Sequence, residues 1–149
     1  HIEYSKLLVR WFLSPLLLDV REIELIVGSE VHTFTVTGET SSEQQVAYNG
    51  EHFDIERFRD LYRLLTSAEH DGRLLENVEV TGTPLLKLTY HYRDQQKRPD
   101  TMALYPADAR RLYVQINGVT ELAIRETYLE RVNRAVETLW TAEPLETEW

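Results

Sequence analysis

Residues Arg110 to Ile124 hold the feature that restricts the fold most. Leu112, Val114 and Ile116 alternate with polar residues, Asn117-Gly118 follows, and Leu122 and Ile124 alternate again. A period of two marks a strand with one buried face. Asn-Gly between two such runs is a strong hairpin signal, because both residues tolerate the positive φ that a type I′ turn demands. The hairpin contains a conflict. Pairing Ile116 with Val119 sets Glu121 opposite Val114, and residues directly opposite share a face. Leu122 and Ile124 are then left on the other side, and the hairpin needs cover on both faces. A one-residue bulge, of the kind that a left-handed glycine near a turn brings, returns them to the core face. One helix layer cannot cover two faces, so the bulge is the expectation.

An amphipathic helix follows. Thr127-Tyr-Leu-Glu130 has the capping-box spacing, Leu129, Val132, Val136 and Leu139 form an apolar stripe, and Trp140 stands near its end. The same order occurs earlier. Val46-Ala-Tyr-Asn-Gly50 turns into a short return through His52 and Phe53, and Asp54 is a suitable N-cap. A helix from Ile55 to about Ser67 then carries Ile55, Phe58, Leu61, Tyr62 and Leu65 at helical spacing, and His70-Asp71-Gly72 ends the unit. Upstream of each turn lies a two-stranded ladder. The first is Val20 to Val27 and Val31 to Thr37, joined by Gly28-Ser29, which suits a type II′ turn. The second is Leu86 to Tyr92 and Thr101 to Tyr105, joined by the polar loop Arg93 to Asp100. Superposing the two Asn-Gly turns brings Val46 onto Val114 and Tyr48 onto Ile116.

The chain therefore reads as a single α+β domain over residues 1–149. Its antiparallel sheet is built of two related strand-hairpin-helix units, at 20–70 and 84–140, with the helices packed on one face. Residues 1–19 read as a connector or as the tail of a preceding module. In them, Ser5 to Leu13 suits a short helix that Pro15 stops, and Leu16-Leu17-Leu18 reads as a buried connection. Leu74 to Pro84 is a connector with short strand character at Val78 and Val80. Residues 141–149 read as a frayed tail.

Composition excludes several functions. The 149 residues are 42% hydrophobic and 28% charged, which suits a folded domain. The net charge of −9 argues against nucleic acid, which needs a basic face, and against an anionic membrane surface. With no cysteine there is no disulfide, thiol nucleophile or cysteine metal site. The run Leu7 to Leu18 is too short and broken to span a bilayer. The chain opens at His1, which reads as a processed or excised piece.

No catalytic constellation emerges. The histidines, His1, His32, His52, His70 and His91, form no metal-ligand pair and read as strand-surface or rim residues. The serines lie in no nucleophile-elbow context, and the glycines are turn glycines with no phosphate-cradling pattern. No spacing selects a pair of carboxylates. The chain is thus read as not an enzyme and as needing no cofactor. The tyrosines are more informative. Tyr90 and Tyr92 share the face of Leu86 and Leu88, hence the core. Tyr105 and Tyr113 belong to the opposite face, where an aromatic patch suits binding.

From Thr83 to Leu139 the chain resembles the uncharacterised bacterial domain-of-unknown-function family 4340. The residues that carry this are Leu86-Lys-Leu-Thr-Tyr90, then Arg111-Leu-Tyr-Val-Gln-Ile-Asn-Gly118, then Val132 to Leu139. The resemblance implies an extracytoplasmic, cell-envelope module. It would be attached to the membrane only through an anchor outside this chain, with a protein partner of the transporter-associated kind. It carries over no catalytic residue. The expected function is a non-catalytic module acting through protein contacts. The alternatives are a small-molecule or peptide binding module using the face of Tyr105 and Tyr113, and an enzyme of unrecognised type.

Overall fold

A computed structural model describes residues 13–68, 76 and 78–139. In chain order the elements are β1 Val20–Val27, β2 Glu30–Thr37, β3 Gln45–Tyr48, β4 Glu51–Phe53 and α1 Ile55–Leu65. Then come β5 Leu86–Tyr92, β6 Asp100–Pro106, β7 Arg111–Ile116, β8 Val119–Arg125 and α2 Thr127–Glu137. The eight strands form one sheet in the order β4-β3-β2-β1-β5-β6-β7-β8. Every neighbouring pair is antiparallel. The fold is α+β, with both helices on one face of the sheet.

The turns form as their residues require. Asn49 and Gly50 take φ of 48° and 88°, and Asn117 and Gly118 take 50° and 85°, the two positive values of a type I′ turn. In Gly28-Ser29 only the glycine is positive, as type II′ demands. Each asparagine also ties its turn to the next strand. Asn49 Oδ1 accepts from the Thr33 N–H at 2.8 Å, and Asn117 Oδ1 from the Thr101 N–H at 2.8 Å. The Asn49 and Asn117 N–H groups donate back to Thr33 O and Thr101 O.

The shift that lays Asn49 on Asn117 also lays Thr33 on Thr101 without a gap. It carries the pairs Phe34–Tyr48, Thr35–Ala47, Val36–Val46 and Thr37–Gln45 onto Met102–Ile116, Ala103–Gln115, Leu104–Val114 and Tyr105–Tyr113. The correspondence breaks at the bulge. Gln115 pairs with Thr120 and Val114 with Leu122, so Glu121 is the extra residue and points to solvent. Leu122 and Ile124 thereby reach the core face, 7% and 1% exposed. The bulge lies beyond the turn rather than at Gly118, whose positive φ is already committed to reversing the chain.

One core lies between the sheet and the helices. Ile23, Leu25, Phe34, Leu88, Leu104 and Tyr90 are fully buried from the sheet side, and Phe58, Leu61, Leu64 and Val132 from the helices. Phe58 packs on Phe34, their ring centroids 5.3 Å apart, and Tyr62 meets Tyr90 edge-on at 6.2 Å. Asp54 caps α1 as expected, its carboxylate accepting from the Arg57 N–H at 3.0 Å. The helices are joined by Tyr128, whose hydroxyl donates to Leu65 O at 2.8 Å, and by Arg57, which donates to Leu139 O at 2.8 Å.

Several expectations give way. Leu16 and Leu18 are 73% and 39% exposed, because Leu17–Asp19 is a single 3-10 turn that fans its side chains apart. The capping box does not form. The backbone is already helical at Glu126, which holds the N-cap position without a side-chain hydrogen bond, so Thr127 lies inside the helix. The buried stripe of α2 is then Tyr128, Val132 and Ala135, with Leu129 and Val136 only partly covered. Helix α1 ends at Leu65 and buries Leu64 as well. Val78 and Val80 form no strand, although the Val78 N–H donates to Thr120 O at 2.9 Å. The helix expected over Ser5 to Leu13 lies, apart from Leu13, outside the described residues, as do His70 to Gly72, Trp140 and the tail.

A Cβ on Gly118 would meet nothing within 4 Å, so only its positive φ resists a side chain. We predict that Gly118→Val costs about 1–3 kcal/mol through backbone strain alone, read as a lowered denaturation midpoint. Gly38→Ala costs more, because its Cβ would lie 2.4 Å from Glu43 O at a φ of 101°. The Tyr90 hydroxyl is buried without a hydrogen-bond partner among the described residues. Tyr90→Phe should therefore be neutral or stabilising by up to about 1–2 kcal/mol, whereas Tyr128→Phe should lose about 1 kcal/mol with its bond to Leu65 O. Equal losses in the two would contradict this.

Candidate functional site

The helices occupy one face of the sheet, and among the described residues no helix lies on the other. Alternation assigns that second face its residues. Thr33, Thr35 and Thr37 from β2 and Glu22 and Glu24 from β1 make one half polar. The expected pair is present in the other half. Tyr105 of β6 and Tyr113 of β7 are direct cross-strand partners, both half-buried. Ala123 of β8 completes their row. Leu85, whose N–H donates to Leu104 O at 2.8 Å, extends the ladder by one residue beside Tyr105.

The adjacent row runs Val31, Ile26, Lys87, Ala103 and Gln115 across five strands. The two rows form an apolar strip along one end of the face. Val31 is 52% and Leu85 37% exposed, although both are large and apolar. Ala103, Ala123 and Thr120, the partner of Gln115, are buried at 5%, 2% and 1%, where the chain passes from Val78, whose N–H donates to Thr120 O, to Leu85. Neither Tyr105 nor Tyr113 makes a hydrogen bond with its hydroxyl to a described residue. An amphipathic ring with a free phenol can bury apolar area in a contact and still satisfy a polar group of the partner.

The alternation that separates Tyr105 and Tyr113 from the core also marks Ile26. Val31 and Leu85 were not singled out by sequence, since each is one apolar residue at the end of a strand. Their importance comes from strands distant in sequence that bring them into adjoining rows.

Two further constellations are structural. Tyr48 Oη lies 2.5 Å from His32 Nδ1, and Glu30 lies 3.4 Å from His32 Nε2. His32 is 6% exposed, so it is a buried histidine and not the rim residue expected. Burial and then Glu30 push the Tyr48 phenol up, which keeps it a neutral donor and makes it a poor nucleophile. His91 stays on the sheet surface, 3.8 Å from Glu22. The second constellation is a groove of about 450 Å³ beside α1, lined by Leu16, Leu18, Gln44, Arg59, Tyr62 and Arg63 among others. Its polar groups are largely used by the fold. Arg59 donates to Ser41 O, Gln44 Oε1 and Glu56, and Tyr62 donates to Pro15 O.

Among the described residues, no three His, Asp or Glu side chains gather to hold a metal ion. No described helix is long and apolar enough to cross a membrane. Compared with protein-family models, curated proteins and solved structures, the chain matches none.

Core tyrosines dominate the titration of the fold. Tyr62, Tyr92 and Tyr128 are all raised above the usual 10.0, chiefly by burial; at Tyr92 the hydrogen bond to Asp100 adds to it. Tyr90 is also raised well above it, by burial and then by its neighbours Tyr128, Tyr62 and Tyr92. The unfolded chain therefore loses these protons first as pH rises. Their contribution to stability is complete below about pH 10 and declines above it. Melting midpoints between pH 8 and 11.5, followed with tyrosine absorbance at 295 nm, should fall only above about pH 10, and ionisation of the buried tyrosines should coincide with unfolding. Ionisation well before unfolding would contradict the burial argument.

Proposed function

We propose that this chain is a non-catalytic interaction module that makes protein contacts through the helix-free face of its sheet. One observation carries the reading: an apolar strip of Val31, Ile26, Leu85, Tyr105 and Tyr113 lies on the face that neither helix covers. Soluble proteins seldom leave such a patch without use, and tyrosines with free hydroxyls are frequent contact residues. Val31 and Leu85 are exposed on it, which fits a macromolecular contact better than a small ligand held in a cleft. The resemblance of residues 83–139 to the family 4340 modules supports an extracytoplasmic setting and an anchor outside the chain.

We further infer that the two strand-hairpin-helix units arose by duplication. The gapless register and the paired asparagine bonds support this. After it, the helix-free face diverged, since Tyr105 and Tyr113 stand where the first unit has Thr37 and Gln45.

The test is site-specific photo-crosslinking in cells producing the full-length protein, with a photoreactive phenylalanine at Val31 or Leu85. Adducts to a protein should form at these positions and be at least several-fold weaker from Arg63 on α1. Equal labelling from both faces, or none from the strip, would overturn the reading. A C-terminal alkaline phosphatase fusion to the full-length protein should be active, as export requires.

A further inference from the structure

We propose that the arginines at one end of the helix-free face, Arg110, Arg111 and Arg125, with Tyr105 and Tyr113 beside them, dock an acidic segment of the partner protein. The inference rests on the function proposed above and names the chemistry of that partner.

Register builds the site. Along β7 and β8 the helix-free face presents Gln115 opposite Thr120, then Tyr113 opposite Ala123, then Arg111 opposite Arg125. The chain from Val78 to Leu85 passes across the first two rows, where Thr120 and Ala123 are buried. The arginine row lies beyond it. Arg125 is exposed there, and Arg111 is half-buried. The turn between β6 and β7 adds Arg110, also exposed. The Arg111 N–H donates to Asp108 O at 2.9 Å, and the Glu126 N–H donates to Arg110 O at 2.9 Å. The turn is thereby tied to the end of β8, next to Arg125.

Two features of these arginines cost the fold. Directly opposed residues of an antiparallel pair have Cβ atoms about 5 Å apart, and like charges there repel. Arg111 and Arg125 are such a pair, in a chain with 25 acidic side chains against 16 basic ones. Ala109 and Arg110 take φ of 49° and 61°. These are the left-handed values that the Asn-Gly turns give to residues suited to them. Here two residues of less suited type hold them, and such strain gathers where a surface binds. The shift that lays Asn49 on Asn117 lays Glu43 on Arg111, so the charge is inverted between the units.

The acid nearby does not offset the arginines. Asp108 Oδ1 lies 3.4 Å from Arg111, on a side chain 81% exposed. Arg125 makes no salt bridge or side-chain hydrogen bond to a described residue. Two guanidinium groups side by side offer paired N–H donors to a carboxylate, which also relieves their mutual repulsion. Tyr113, the next residue of this face along β7, and its partner Tyr105 give the same segment apolar area and a phenol to bond. Arginine and tyrosine are the side chains on which protein contacts most often depend.

Fluorescence anisotropy of the purified chain with a fluorescein-labelled peptide, four glutamates around one phenylalanine, tests the proposal. Saturable binding is expected, and none of the same peptide with lysine for glutamate. Arg125→Glu should weaken binding at least tenfold. Arg63→Glu on α1 changes the net charge equally and should leave it unchanged. Melting midpoints separate binding from folding. Arg125→Glu sets opposite charges across β7 and β8 and should melt higher than the parent. Arg110→Gly relieves the turn and should not melt lower, although it too binds the peptide more weakly. No binding, equal losses from Arg125→Glu and Arg63→Glu, or midpoints lowered by both Arg125→Glu and Arg110→Gly overturns the proposal. In cells, Arg125→Glu should cut the protein adduct formed from Leu85 at least fivefold. If that adduct persists undiminished, the acidic partner fails and the interaction face stands. If the peptide binds as expected but neither Val31 nor Leu85 yields an adduct, docking of an acidic segment stands and the contact role of the apolar strip fails.

Discussion

The antiparallel ladder between β1 and β5 is the interaction on which the rest of the structure depends. Among the described residues it is the only strand pairing between the two halves of the sheet. Its residues Ile23, Leu25, Leu88 and Tyr90 are fully buried on the core face. Each half alone offers four strands and a single amphipathic helix. Such a unit leaves its central strand with an open edge and part of its apolar face uncovered. Pairing β1 with β5 closes both edges at once and brings α1 and α2 over one continuous core. The contacts between the helices, Tyr128 to Leu65 and Arg57 to Leu139, are consequences of that closure. The pairing has a pseudo-two-fold character. If β2 is matched to β6, the ladder matches β1 to β5 so that Ile23–Tyr90 exchanges with Leu25–Leu88 and Glu24–Thr89 lies on the axis.

Much of this architecture was legible in the sequence, for definite reasons. Val20–Val27 and Leu86–Tyr92 alternate cleanly and form strands with the bounds that alternation gives. The Asn-Gly turns were legible because few residue pairs accept two positive φ values. The bulge followed from a conflict between register and face that only one extra residue resolves. Helix termini and stripes were less legible. Thr127 and Glu130 have capping-box spacing, but local spacing does not say where β8 stops, and the chain enters the helix one residue earlier. That buries Tyr128 between the helices, where its hydroxyl donates to Leu65 O at the end of α1. Leu16 to Leu18 misled because an apolar run carries no sign of its cover.

The candidate site divides the same way. Tyr105 and Tyr113 were separable from Tyr90 and Tyr92 by counting faces, and the structure makes them neighbours. Val31 and Leu85 join the strip only because β2, β1, β5 and β6 lie side by side, an order that no local pattern encodes. His32 shows the converse. Its place on the face of Phe34 and Val36 was legible, but its burial depends on Tyr48, sixteen residues away and brought near by the β2–β3 ladder.

Equivalent positions in the two units make the strip more than a chance exposure. A face that only meets water is well served by threonine and glutamine, and at Thr35, Thr37 and Gln45 the first unit uses them. At the corresponding places the second unit has Ala103, Tyr105 and Tyr113, while at the fourth position the exchange is reversed, Ala47 in the first unit and Gln115 in the second. These backbone sites share strand, register and face, so strand propensity cannot account for the difference. Tyrosine is enriched in strands, but alanine is depleted there, and a buried alanine beside tall neighbours weakens a surface row without contributing packing of its own. A low floor flanked by taller apolar groups gains free energy when something is laid into it, and the chain between Val78, held at Thr120 O, and Leu85, held at Leu104 O, spans the same strands.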